Sequence, residues 1–145
     1  MGSGQCPEPV YIFMISLKGL KKKAWATMSE YIRKRDRGQC FTCPVQRNWS
    51  QMQAGHFVHS TGRDNGNSRI DFEEDNVHCQ CPGCNNEGWQ KGKDARIVYD
   101  RKMFQLYGEN VGEKYKQMRK PIWKPSREEL EGLVETYKRK ITDLA

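Results

Sequence analysis

Residues 76–85 read Asn-Val-His-Cys-Gln-Cys-Pro-Gly-Cys-Asn, and the rest of the chain is read outward from them. Cys81 and Cys84 flank Pro82-Gly83, a knuckle that turns both thiolates toward one point. A matching pair, Cys40 and Cys43 across Phe41-Thr42, lies upstream, with 37 residues between Cys43 and Cys81. Two C-x2-C pairs so placed are the pattern of a structural, tetrahedral zinc site. Thiolates are soft donors, the ion lowers their pKa, and four of them leave no open coordination position. Zinc on Cys40, Cys43, Cys81 and Cys84 is therefore expected to fold the chain rather than to do chemistry. Cys79 lies close enough in sequence to compete for the ion, but the C-x2-C register favours Cys81. Cys79 and Cys6 are read as non-ligands.

The bulk numbers agree with a stapled fold. The chain has 145 residues, only 36% of them hydrophobic, so one domain with extensions and a small core is expected. Small cores commonly need a staple. The balance of 25 basic to 18 acidic residues, +7 net, favours a polyanionic partner, most simply nucleic acid; a solvated basic surface is the plain alternative. The longest apolar run, residues 10–17, is too short to span a membrane, and its lysines follow rather than precede it, so it fails as a signal peptide. It reads as a buried strand or packed arm after the linker-like Met1–Gly4. The expected location is a reducing cytoplasm, where six cysteines favour metal over disulfides.

Local patterns then order the chain. Residues 18–37 read as a helix with the stripe Leu20, Ala24, Met28, Tyr31 and Ile32, ended by Gly38. Its basic residues, Lys21, Lys22, Lys23 and Arg33 among them, either follow a DNA backbone or are simply solvated. A strand at 53–58, a turn-rich loop around Asn65-Gly66, and a second strand at 69–74 predict a hairpin. From Asn85 a helix is expected to Tyr107, with Ile97, Arg101, Phe104 and Tyr107 inward, then a short helix over 111–119. Ser126 and Glu129 form a capping box before Leu130, Leu133, Val134, Tyr137, Ile141 and Leu144. That stripe packs on its own domain or forms a homodimer.

Strand with His56, loop, strand, Asn76, knuckle and Asn85 follow one another in a ββα order. Through LKKKAW, SEYIRKRD, QAGHF and RIDFEEDNVHCQCPGCNN, about residues 20–108, the chain resembles the HNH, or His-Me finger, endonucleases in the zinc-stapled form of phage endonuclease VII. More narrowly, it is similar to the phage NinG, or Rap, recombination nucleases. The resemblance implies an α+β fold, a zinc-stapled ββα-metal core with flanking helices. It implies a metal-dependent DNA endonuclease acting on branched recombination intermediates such as Holliday junctions and D-loops. His56 would be the general base, Asn85 a ligand of a catalytic Mg²⁺ or Mn²⁺, and Asn76 the brace of the histidine strand. The products would carry 5′-phosphate and 3′-hydroxyl ends.

One residue departs from that pattern. Where many HNH sites have an Asp or His metal ligand before the base, this chain has Gly55. Asp71 is the first candidate to replace it, ahead of Glu73, Glu74 and Asp75. Arg63, Arg69, Lys91 and Lys93 are further candidates for phosphate contacts, and His59 and His78 read as surface or supporting groups. The expected organisation is an arm at 1–17, the zinc-bound nuclease-like domain at 18–120, a linker at 121–125 and an amphipathic helix at 126–145. Two rivals stand: a nicking or site-specific HNH endonuclease on ordinary duplex DNA, and a zinc-knuckle DNA-binding module without catalysis.

Overall fold

A computed structural model describes residues 15–59, 68–87 and 94–145. Its elements in chain order are α1 (Leu17–Arg35), β1 (Gln53–His56), β2 (Val77–Gln80), α2 (Pro82–Glu87), α3 (Ala95–Tyr107), α4 (Val111–Arg119) and α5 (Arg127–Asp143). Short 3-10 turns occupy Trp49–Gln51, Arg69–Phe72 and Glu74–Asn76. Among the described residues no helix is long and apolar enough to cross a membrane.

Helix α1 forms because Leu20, Ala24, Met28 and Ile32 recur at helical spacing and all become inaccessible to solvent. The Ser16 hydroxyl caps its first turn, accepting the Gly19 N–H at 3.1 Å. Its end is sharp: Arg37 and Gly38 both have positive φ, 56° and 67°. At Gly38 a Cβ would lie 1.8 Å from the Arg47 carbonyl oxygen, so glycine is required there for space as well as conformation. This reversal delivers the chain into the first cysteine knuckle. Helix α5 lays Leu130, Val134 and Tyr137 against α1, with Phe72 and Val77 completing the cluster. Leu130, Leu133, Val134 and Tyr137 of the tail stripe thus pack on their own domain, while Leu144 is exposed. The Ser126–Glu129 capping box is present.

The hairpin exists with a different second strand. β1 pairs antiparallel with β2, Gln53 opposite Gln80 and His56 opposite Val77. Residues 69–74, expected as that strand, form tight turns instead. The Ser68 hydroxyl accepts the Ile70 N–H at 3.3 Å, and the Glu73 N–H bonds Ile70 O at 3.2 Å, closing the local turns. Ile70 and Phe72 are buried as their alternation suggested, but into two different apolar clusters. The helix expected from Asn85 to Tyr107 is two helices, and Asn85 lies within α2. The inner side of α3 is Ala95, Tyr99 and Met103; Ile97, Phe104 and Tyr107, expected inside, are exposed. Residues 120–126 carry no regular structure, yet Trp123 packs edge-on against Phe72 at 5.4 Å.

Because successive strand residues face opposite ways, the ribbon has two distinct faces. Ala54, His56, Val77 and Cys79 face α1, while Gln53, Gly55, His78 and Gln80 face α2 and α3. His78 is buried there, stacked on Phe41 at 4.0 Å and hydrogen-bonded to Tyr99 at 3.1 Å. It is a core residue rather than a surface group, and burial lowers its pKa to about 4.

Candidate metal centre and histidine cleft

Two sites flank the ribbon. The first is the cysteine cluster. The ligand atoms of Cys40, Cys43, Cys81 and Cys84 all lie within 4.8 Å of one another, and Cys43 Sγ is 3.7 Å from Cys81 Sγ. A tetrahedral zinc with bonds of about 2.3 Å requires sulfur–sulfur edges of about 3.8 Å. The residues fit the ion. The Cys84 N–H points at Cys81 Sγ at 3.4 Å, the backbone hydrogen bond that stabilises a thiolate in a knuckle. Burial opposes ionisation of Cys40, but hydrogen bonds from the Cys81 backbone and from Thr42 outweigh it and lower that thiol to about 7. Cys79 lies outside the four-sulfur group; it is wholly buried in β2 and its thiol is pushed up to about 12. Cys6 falls outside the described residues.

The second site is a cleft of about 450 Å³ between α1 and the His56 face of the ribbon. Lys18, Lys21, Lys22 and Trp25 of α1 line one wall, at i, i+3, i+4 and i+7. Ala54, His56, His59, Asp71 and Phe72 line the other. The His56 imidazole stacks on Trp25 with centroids 4.7 Å apart and planes at 22°. Its Nε2 lies 3.1 Å from the Asp71 carbonyl oxygen. A carbonyl only accepts, so Nε2 carries the proton and Nδ1 is left as the basic nitrogen. Burial and then the neighbouring His59 lower the His56 pKa below its ordinary 6.5, against the opposing pull of Asp71. The ring is therefore neutral near pH 7.

Asn76 is wholly buried and closes the loop above this cleft. Its Oδ1 accepts the Val58 N–H at 2.8 Å, and its Nδ2 donates to Val58 O at 2.8 Å and Ile70 O at 3.0 Å. These bonds hold the segment after His56 against the turn that carries Asp71. Asn76→Ala would leave the Val58 N–H and carbonyl buried without partners, each costing about 1–3 kcal/mol, while Ile70 O keeps the Glu73 N–H. A loss of about 2 kcal/mol or more is expected in urea unfolding of the zinc-loaded chain.

Asn85 does not share a pocket with His56. It stands on the Gly55 face, where its Nδ2 donates to Gln53 Oε1 at 2.7 Å. Asp71, ranked first to accompany Asn85 on an ion, lies instead beside His56, its Oδ1 3.9 Å from Nε2. The alternation of β1 separates the two groups. Of the expected phosphate-binding residues, Lys21 and Lys22 line the cleft and Lys23 does not. Arg33 turns inward, its Nη1 reaching the carbonyls of Trp49 and Met52 at 3.4 and 3.5 Å and its guanidinium 5.1 Å from the Trp49 ring. Arg69 is exposed, 5.3 Å from the Trp123 ring. Arg63, Lys91 and Lys93 lie outside the described residues. Sequence reasoning passed over Lys18, Trp25, Thr42, Gln53 and Gln80. The helical period from Lys18 could have placed the first two on one face. The last two needed the true register of β2.

No curated protein and no solved structure matches the chain. A family model described as Bacteriophage Lambda NinG protein matches residues 14–145, and the chain belongs to that family.

Proposed function

We propose that this NinG-family chain is a metal-dependent DNA endonuclease that hydrolyses phosphodiester bonds, and that its preferred substrates are branched recombination intermediates. The observation that carries the reading is the neutral, oriented His56 in a lysine-lined cleft, one residue from a strand position faced by Asn85. The resemblance to HNH enzymes supplies the reaction class, and the likeness to NinG and Rap nucleases supplies the branched substrate.

In this reading a phosphodiester crosses the outer edge of β1 at Gly55–His56. Consecutive Cα atoms are about 3.8 Å apart, so groups on both faces of the strand reach one phosphate across that edge. His56 Nδ1 takes the proton of a water whose oxygen attacks phosphorus, and the bond to the 3′-oxygen breaks. A divalent ion on the Asn85 side would neutralise charge on the phosphate and leaving oxygen. Lys18, Lys21 and Lys22 hold the strand by its backbone, which gives affinity without sequence preference.

The lysine assignment has its own test. Exchanging the exposed Lys18 and Lys22 for glutamate is expected to weaken duplex binding uniformly across sequences. It should also flatten the slope of log K against log salt by about 2. An unchanged slope would remove the cleft from the DNA path. For substrate class, zinc-loaded protein is incubated with a four-way junction and with linear duplex, in Mg²⁺ or Mn²⁺ and in EDTA. Divalent-dependent cutting that prefers the junction is expected. Equal cutting of both would favour a duplex nickase, and binding with no cutting under any divalent ion would favour a non-catalytic zinc-knuckle module.

A further inference from the structure

We propose that the Gln80 side-chain oxygen is the metal ligand that Gly55 cannot supply: with Asn85 Oδ1 it forms a hard-oxygen site for one Mg²⁺ or Mn²⁺ directly over Gly55. The assignment rests on the nuclease reading above and names the side chains that would hold its ion.

The geometry starts from a missing side chain. A Cβ built on Gly55 would lie 1.9 Å from Gln80 Oε1 and 2.8 Å from Asn85 Oδ1. The two oxygens therefore occupy the volume that a ligand side chain at position 55 would fill. The ribbon register puts them there. Gln80 pairs with Gln53 and so sits diagonal to Gly55 on the same face, while α2 brings Asn85 over it from the zinc knuckle.

Both amides are held with oxygen toward the gap. Gln80 Nε2 donates to Thr42 Oγ1 at 2.9 Å, and Asn85 Nδ2 donates to Gln53 Oε1 at 2.7 Å. Thr42 Oγ1 is in turn 3.6 Å from Cys40 Sγ. Once that sulfur is a zinc-bound thiolate it can only accept, so the hydroxyl must donate to it and keep its lone pair for Gln80. The structural zinc thus fixes the orientation of a side chain beyond its own ligands. Among the described residues neither amide oxygen accepts a hydrogen bond. Gln80 is buried and Asn85 half-buried.

Amide oxygens are hard donors suited to Mg²⁺ or Mn²⁺ but carry no charge. This pair should hold an ion weakly until a phosphate oxygen adds negative charge.

The test reads binding site by site. Zinc-loaded, ¹⁵N-labelled full chain is titrated with Mn²⁺ alone, and paramagnetic broadening is followed. The Gly55 amide and the side-chain amides of Gln80 and Asn85 should broaden first. Gln80→Glu puts a carboxylate in the same place and should lower the Mn²⁺ midpoint about tenfold, since ligand charge tunes affinity. Gln80→Leu should raise it at least about fivefold. Zinc content and an otherwise unchanged spectrum report an intact fold. Should Gln80→Leu not fold, Gly55→Ala gives the second reading. The atoms nearest its methyl are the ends of the Gln80 and Asn85 side chains, which must swing away. It should lose Mn²⁺ binding equally. Broadening centred on other residues, or midpoints that ignore these substitutions, would overturn the assignment. If such a protein still cuts DNA with Mg²⁺, only the ligand assignment has failed. If Mn²⁺ binds as expected and no DNA is cut, only the nuclease reading has failed.

Discussion

Cys81→Ser is expected to abolish the folded state rather than to trim its stability. The variant should lose its zinc, about one ion per chain in the parent, and give the far-ultraviolet spectrum of a largely unfolded chain at 25 °C. Structural zinc contributes about 10–16 kcal/mol of apparent binding free energy at neutral pH. Domains have about 5–15 kcal/mol of net stability in all. Removing one thiolate opens the tetrahedron whose Cys43–Cys81 edge is 3.7 Å. It also frees the Cys81–Cys84 knuckle that sets α2 against β1, and loss of the ion releases Cys40, whose contact with Thr42 orients Gln80. Excess chelator should act in the same way, and added zinc should restore the parent but not the variant. Cys79→Ser is the control. Because Cys79 lies outside the four-sulfur group, that variant should keep its zinc and fold. The opposite pattern would place Cys79 in the ligand set.

His56→Ala is expected to lower the rate of DNA cleavage by about 10²- to 10⁴-fold, the usual contribution of a positioned general base. DNA affinity should change little, because the cleft lysines are untouched. The imidazole stacks on Trp25, so a small cavity and some lost stability accompany the change; His56→Gln, of closer volume, should show the same rate loss with less of that cost. The pH profile distinguishes a base from a positioning group. A His56 pKa below 6.5 leaves the active, neutral form dominant at pH 7. Cleavage should therefore be flat through neutrality and fall as pH drops below that range, with the acid limb missing in His56→Ala. The stability sign is the same. A depressed histidine pKa means that the unfolded chain binds the extra proton first, so stability is present above pH 6.5 and declines as pH falls toward the folded pKa.

Much of this was readable in the residues, for reasons that differ by element. The four zinc cysteines are legible because sulfur spacing in a knuckle is a local, short-range constraint. Helix α1 and the capping box of α5 follow from periodicity and a hydroxyl at the right offset. The second strand was missed because Arg69–Glu74 alternates like a strand, while Val77–Gln80 is only four residues long and runs directly into the cysteine knuckle. That misplacement hid Gln80. It also hid the separation of His56 and Asn85 onto opposite faces, since facing depends on pairing register and not on order along the chain. Asp71 was close to His56 in space, as its charge pattern suggested, but the turn that carries it presents its carbonyl to the ring as well as its carboxylate. Arg33 looked like a DNA contact because its neighbours are basic. Its partners, two carbonyls and an indole distant in sequence, exist only in the folded chain.

The most direct test of the central claim is single-turnover cleavage of a labelled four-way junction by zinc-loaded protein, run in parallel with His56→Ala in Mg²⁺, Mn²⁺ and EDTA. The expected result is cutting by the parent with either ion, none in EDTA, and a loss of about 10²-fold or more in His56→Ala despite retained binding. The products should carry 5′-phosphate and 3′-hydroxyl ends. Equal cutting by parent and variant, or none by a folded, zinc-loaded parent that binds the junction, would contradict it.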